Sequence, residues 1–143
     1  MSEKTTRSMT LDMVVDWTRG KTALGAAARR RRVRYFTMDS RLVTPGDVFV
    51  ALATENNDGH RFVAAAFAAG ALSAIVAGKK QDMLPRAIQK KVIATANPLT
   101  ALHRCARSYR QYLGIPIVAL TGSSGKTTTR NCISWVLSQR CTV

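Results

Sequence analysis

The chain has 143 residues, 46% of them hydrophobic, with 22 Lys and Arg against 8 Asp and Glu, a formal net charge of +14. That length can bury the core of one domain or a little more. No apolar run approaches the roughly 20 residues needed to span a bilayer, and the polar start at residues 1–8 has no signal-peptide apolar stretch, so a cytoplasmic protein is expected.

Residues 10–19 set Leu11, Val14 and Val15 on one helical face, with Thr10 as N-cap and Gly20 as stop, predicting a short amphipathic helix. Arg29, Arg30, Arg31, Arg32 and Arg34 then form a dense basic run. It reads as a solvated loop or as a contact for nucleic acid or an acidic surface. Only Tyr35 and Phe36 supply aromatic interleaving, so nucleic acid is not the expected partner. Residues 33–38 predict a strand, and 39–41 and 44–47 carry turn chemistry.

Residues 48–52 are a continuous apolar run of strand length, followed by a polar loop at 54–59, an alanine-rich helix at 60–69 stopped by Gly70, and a second apolar strand at 73–77. This is a βαβ unit, which implies parallel strands joined by a right-handed crossover. A helix within 82–89 can begin only near Pro85, and 92–95 is a further strand. Asn97 caps a helix opening at Pro98, which turns Leu99, Leu102, Ala106 and Tyr109 to one side and ends before Gly114 and Pro116. His103, beside Arg104 and Arg107, is expected to face solvent. A domain boundary falls here, giving units of 1–97 and 98–143.

The apolar run 115–120 predicts a strand that leads into Thr121-Gly122-Ser123-Ser124-Gly125-Lys126-Thr127-Thr128 and then a helix. Strand, glycine loop and helix start are the parts of a phosphate cradle: glycines let backbone N–H groups approach phosphate oxygens, and the helix N-terminus favours negative charge. Lys126 is placed to neutralise the outer phosphates, Thr127 to offer its hydroxyl to Mg2+, and Thr128 to support the loop or a phosphate. The loop is a shortened variant, because Leu120 stands where the general pattern has a further glycine. No Asp or Glu follows Asp82 to serve as a downstream magnesium carboxylate.

Other residues carry two readings. Asp39 before Ser40-Arg41 can cap a turn; Asp58-Gly59 can open a helix, with His60 at the surface or capping it. Cys105, Cys132 and Cys141 are odd in number and lack Cys-x-x-Cys spacing, which argues against a disulfide framework or a zinc site. Cys105 and Cys132 read as small core residues.

Taken together, Asp39-Ser40-Arg41, the stretch from Pro45 to Leu52, Asp58-Gly59-His60-Arg61-Phe62, Gly70-Ala71 and the loop from Thr121 to Thr129 resemble the Mur ligase family. The resemblance covers residues 39 to about 139 and is nearest to the branch joining D-alanyl-D-alanine to UDP-N-acetylmuramoyl-tripeptide. It implies an α/β fold: a small N-terminal α/β UDP-binding domain, then the first strand, P-loop and helix of a Rossmann-like ATP-binding central domain. It also implies that Ser40, Arg41, Asp58, Gly59 and His60 shape the uridine diphosphate pocket. Gly122, Ser123, Ser124, Gly125, Lys126, Thr127 and Thr128 would hold ATP, with Mg2+ on Thr127. The implied reaction transfers phosphate from ATP to a carboxylate; the amine of D-alanyl-D-alanine attacks the resulting acyl phosphate and phosphate leaves.

The sequence departs from the family at Thr54, commonly Gly, at Ser124, often Asn, and at Arg130-Asn131, commonly Lys-Glu. The central-domain magnesium glutamate, modified lysine and histidine have no counterpart, so this chain alone is expected not to complete the reaction. Three alternatives accompany the reading: the related ligase that adds the third amino acid to UDP-N-acetylmuramoyl-dipeptide, against which Ser123 weighs mildly; a non-catalytic module binding a UDP-sugar or nucleotide; and a nucleic-acid adaptor. A lone strand and helix cannot bury their apolar faces, so disorder or aggregation is expected beyond about Gly114.

Overall fold

Strands 48–50, 73–77 and 92–95 are apolar at almost every position, and in the computed structural model both faces of each are covered. The structure describes residues 8–55 and 57–141; residues 1–7 of the polar start lie outside the described residues. The elements in chain order are α1 (Leu11–Thr18), β1 (Lys21–Thr22), α2 (Ala26–Arg29), β2 (Phe36–Thr37), β3 (Val48–Val50), α3 (Val63–Ala68), β4 (Ser73–Ala77), α4 (Arg86–Gln89), β5 (Val92–Thr95), α5 (Pro98–Leu113) and α6 (Lys126–Ser138). The sheet order is β1-β5-β4-β3-β2. From β2 to β5 all neighbours are parallel, in register Phe36 with Val48, Phe49 with Ala74 and Ile75 with Ile93. The expected parallel βαβ unit is therefore present.

Side chains alternate across this sheet and divide the core in two. Val48, Val50, Ile75 and Ile93 point to a layer formed by α1 and α5, where they meet Leu11, Val14, Val15, Ala101 and Cys105. Phe49, Ala51, Ala74, Val76 and Val92 point the other way, onto Val63 and Ala66 of α3 and onto Leu84. Both-face burial explains why these strands are continuously apolar instead of alternating.

α1 begins as the sequence predicts: Thr10 is extended and its Oγ1 accepts from the Met13 N–H at 3.4 Å. Its C-cap, however, is Arg19, in the left-handed region at φ 54°, and Gly20 has another duty. A Cβ on Gly20 would lie 2.3 Å from Ile93 Cγ2, so the glycine lets β1 approach β5. β1 pairs antiparallel with β5, a contact too short to show a sequence period. The strand expected at 33–38 pairs only over Phe36–Thr37. Part of the arginine run is structured: Arg29 closes α2 and reaches Asp12 on α1 at 2.6 Å, while Arg30, Arg31 and Arg32 are exposed.

Three short 3-10 turns replace expected loops or helix starts: Ser40–Leu42, Gly59–Phe62 and Gly78–Met83. α5 opens at Pro98, with Asn97 Oδ1 accepting from the Thr100 N–H at 3.1 Å, and ends at Gly114 in the left-handed region, φ 64°. Its buried side is Pro98, Ala101 and Cys105, whereas Leu99 is 47% exposed, so the predicted face is rotated. Small residues fit closest to the sheet, and bulk alone misjudged the phase. Through Ala101 and Cys105 this helix belongs to the core of the preceding unit, and Trp17 of α1 packs its ring against Tyr109 and Tyr112, centroids 6.4 and 5.9 Å away.

Residues 115–120 form no strand. Ile115, Ile117 and Val118 are more than half exposed, because no strand among the described residues pairs with this segment. α6 starts at Lys126 and buries none of its residues. Cys132 is accordingly exposed, contrary to its reading as a core residue, while Cys105 is buried and its thiol is pushed up to about 11 by desolvation. No helix among the described residues is long and apolar enough to cross a membrane.

Candidate functional site

Parallel strands deliver their C-terminal ends to one edge of a sheet, the edge where α/β proteins bind ligands. Here that edge collects the Ser40–Leu42 turn after β2, the loop 51–60 after β3 and the Gly78–Met83 turn after β4. All five residues expected to line a substrate pocket therefore share one edge, but they differ in what they leave free.

Asp58 caps the Gly59–Phe62 turn, accepting from the His60 N–H at 3.1 Å. Its Oδ1 also accepts from His60 Nδ1 at 2.6 Å, and its Oδ2 is held by Lys80 Nζ from the turn after β4. His60 Nε2 accepts from the Ala77 N–H at 2.9 Å, which assigns the ring proton to Nδ1. His60 is thus buried, not a surface residue: the imidazole bridges the loop after β3 to the end of β4. The Lys80 ammonium, and then the His60 ring N–H, hold the Asp58 carboxyl far below the usual carboxylate range. Gly59 is a backbone necessity. Its N–H donates to the Leu52 carbonyl at 2.7 Å, and a Cβ would sit 2.7 Å from that same oxygen.

On the neighbouring turn, Asp39 does cap: Oδ1 accepts from the Arg41 N–H at 3.0 Å. Both carboxylate oxygens also receive the Arg41 guanidinium, at 2.9 and 2.6 Å. That pairing lowers the Asp39 carboxyl to about 2 and raises Arg41. The Arg41 side chain remains 86% exposed, and the Ser40 hydroxyl has no partner among the described residues. The Ser40 hydroxyl is open to a ligand, and Arg41 is exposed although Asp39 already engages its Nε and Nη2, whereas Asp58, Gly59 and His60 are taken up internally.

The second station is the loop before α6. Gly122 and Gly125 have φ of 145° and 75°, backbone states that side chains disfavour. None of the backbone N–H groups of residues 122–128 has an acceptor among the described residues; the first amide satisfied is that of Thr129, which donates to the Gly125 carbonyl at 2.9 Å. Among the described residues the Thr127 and Thr128 hydroxyls also have no partner, and Lys126 Nζ folds back onto the Gly122 carbonyl. Lys126 and Thr127 line an open depression of about 280 Å³ with Val118, Leu120 and Arg130. A row of amides without acceptors, an ammonium and two hydroxyls at a helix N-terminus is chemistry suited to an anion.

Two residues here, Lys80 and Arg130, are not assigned to the site by sequence reasoning. Lys80 is far from Asp58 in sequence and no local signal links them. Arg130 was noted only as a departure, yet it adds a cation to the depression. The turn chemistry expected at 44–47 is present: buried Asp47 accepts from the Thr44 N–H and hydroxyl, both at 2.9 Å. No group of three His, Cys, Asp or Glu residues arranged to hold a metal occurs among the described residues.

The profile of the Mur ligase family, catalytic domain, matches residues 32–110. The UDP-N-acetylmuramoyl-tripeptide--D-alanyl-D-alanine ligase of Synechocystis is 38% identical over 108 residues, 76% of this chain and 23% of that protein. The UDP-N-acetylmuramoyl-L-alanyl-D-glutamate--2,6-diaminopimelate ligase of Bradyrhizobium diazoefficiens is 42% identical over 105 residues, 73% of this chain and 21% of that protein. Among solved structures, MurF from Acinetobacter baumannii superposes with a TM-score of 0.75 at 30% identity, covering 95% of this chain and 28% of that one. The MurF ligase of Thermotoga maritima, solved with ADP, gives 0.63 at 27% identity over 82% of this chain and 25% of that one. The chain spans about a quarter or less of the length of these curated relatives.

Proposed function

Because the chain belongs to the Mur ligase family, we propose that it supplies the substrate-gripping unit and the opening of the nucleotide site of an ATP-dependent peptidoglycan-precursor ligase. The reaction is the joining of D-alanyl-D-alanine to UDP-N-acetylmuramoyl-tripeptide. Phosphate passes from ATP to the tripeptide carboxylate, the dipeptide amine attacks the activated carbonyl, and phosphate departs.

The observation that carries this reading is the loop of free amides at residues 122–128 with Lys126 and Thr127 at its end. Phosphate oxygens would replace the missing acceptors of those N–H groups, and Lys126 would leave the Gly122 carbonyl to pair with them. Arg130 adds charge of the right sign. Thr127 is the residue that would hold Mg2+, which when bound offsets the phosphate charge. Such a seat works by positioning and electrostatics, since phosphoryl transfer asks little covalent chemistry of the protein. At the sheet edge, Arg41, Ser40 and the Lys80 side of the Asp58 cluster form the half that faces a UDP-linked substrate, with Asp58, Gly59 and His60 holding its shape. By this reading the 143-residue chain binds ligands and does not turn them over.

Calorimetry on the full chain tests it. ATP with Mg2+ is expected to bind, and Lys126→Ala to weaken binding by about 1.5–3 kcal/mol, the worth of a hydrogen bond to a charged group, with UDP-N-acetylmuramoyl-tripeptide binding unchanged. Equal ATP affinity in Lys126→Ala would remove the nucleotide seat. The 42% identity to a ligase named for 2,6-diaminopimelate favours a second reading, in which the substrate is UDP-N-acetylmuramoyl-dipeptide. Preference of the chain for dipeptide over tripeptide substrate in the same titration selects it. Binding of either without any binding of ATP selects a non-catalytic UDP-sugar module.

A further inference from the structure

α1 and α5 do not cover their whole side of the sheet. Beyond α5, toward the β2 edge, lies a groove of about 520 Å³. Val33 and Phe36 form its sheet side, Leu102, Ala106 and Tyr109 its helix wall, and Tyr35 and Arg34 its outer lip. Tyr35 is 66% exposed, with the Arg34 guanidinium 5.8 Å from its ring centroid. None of these residues belongs to either station described above.

We propose that this groove docks an amphipathic helix from another protein, with an apolar stripe against the floor and acidic residues along its flanks. The shape is that of helix-in-groove recognition, in which side chains at i, i+3 or i+4, and i+7 enter a concave apolar surface. Charge selects the sign of the flanks. Arg30, Arg31, Arg32 and Arg34 are exposed on the segment leading into the lip, and no acidic group pairs with them among the described residues. On the opposite wall Arg110 falls one turn after Ala106 on the same stripe of α5, also without an acidic partner. A row of cations at the lip with one beyond the opposite wall steers and orients an acidic ligand.

Among the described residues Asp12 and Asp16 serve Arg29, Asp39 serves Arg41, Asp58 serves Lys80 and Asp47 caps its own turn, while Glu55 and Asp82 sit in the loops after β3 and β4, so no described acid pairs with the arginines of the groove. A second copy is disfavoured for the same reason: the exposed apolar residues of α6, Trp135, Val136 and Leu137, stand between Arg130 and Arg140. Nucleic acid would satisfy the arginines but leaves the apolar floor without a ligand.

The test is fluorescence anisotropy on the full chain. The probe is a labelled synthetic helix with Leu at i, i+3, i+4 and i+7 and Glu on both flanks, compared with the same helix carrying Lys for Glu and with oligothymidylate. The acidic helix is expected to bind saturably and the basic one not at all. Ala106→Trp, which fills the groove from an exposed position, and Arg34→Glu, which reverses the lip, are each expected to weaken binding at least about tenfold while circular dichroism stays unchanged. Equal binding of the two helices, no binding of the acidic one, indifference to both substitutions, or binding of oligothymidylate alone would overturn the proposal.

Discussion

Two glycine-containing loops in this chain, 57–60 and 121–128, look alike as motifs and behave in opposite ways. In the first, the Asp58 carboxylate, the His60 ring and the Gly59 amide are all consumed by internal bonds to Lys80, Ala77 and Leu52. In the second, the amides from 122 to 128 and the hydroxyls of Thr127 and Thr128 have no partners among the described residues. A glycine beside polar residues can thus mark either a close backbone approach or an open ligand seat. What separates them is whether the surrounding fold spends the polar groups. The first loop is clamped between strands of a sheet with two buried faces; the second joins two segments that bury almost nothing.

That contrast can be broken by substitution. The largest effect is expected in the core: Ile75→Ala, fully buried between α1, α5 and the neighbouring strands, should lower the unfolding free energy by roughly 2–5 kcal/mol, whereas Trp135→Ala on α6, 70% exposed, should change it by less than about 0.5 kcal/mol. Urea denaturation followed by circular dichroism reads both. Comparable losses would mean that α6 shares the core after all.

Gly59→Ala comes next. Its Cβ meets backbone atoms, Leu52 O at 2.7 Å and Leu52 N at 2.9 Å, which cannot rotate away, so a loss of roughly 1–3 kcal/mol is expected, the range for overpacking. Gly125→Ala meets no atom within 4 Å and should act instead through its positive φ, reshaping the nucleotide loop without unfolding the sheet. If Gly59→Ala leaves the urea midpoint unmoved, the first loop is less tightly clamped than its distances imply.

The smallest effect concerns acid. The folded-state pKa of Asp58 is depressed by Lys80 and His60, so its contribution to stability is complete above its unfolded value, roughly 3.9, and is lost as pH falls through the lower folded value. Asp39, lowered to about 2 by Arg41, titrates in the same window and in the same direction. Stability should therefore fall below about pH 4. Asp58→Asn should flatten that limb and cost about 1 kcal/mol at neutral pH through the lost ion pair with Lys80. An unchanged acid limb in Asp58→Asn would place the acid sensitivity elsewhere.

Much of this was legible in the sequence because it depends on near neighbours. Thr10 and Asn97 cap α1 and α5, Gly70 and Gly114 end α3 and α5 with positive φ, and Lys126 opens α6, all as local chemistry requires. The continuous apolar strands announced a parallel sheet covered on both faces. The family membership was carried by short fixed spacings, which survive in sequence.

Tertiary structure alone decided the rest. Lys80 reaches Asp58, and Ala77 reaches His60, across strand connections that no period records. The packed side of α5 was set by how closely a sheet can approach, which favours Ala101 and Cys105 over bulkier neighbours. Residues 115–120 have strand composition but no strand to pair with, and a β-strand exists only when another backbone completes its hydrogen bonds. Sequence fixes what a segment can offer, and the surrounding fold determines whether that offer is taken up internally, as at His60, or left open, as at Lys126.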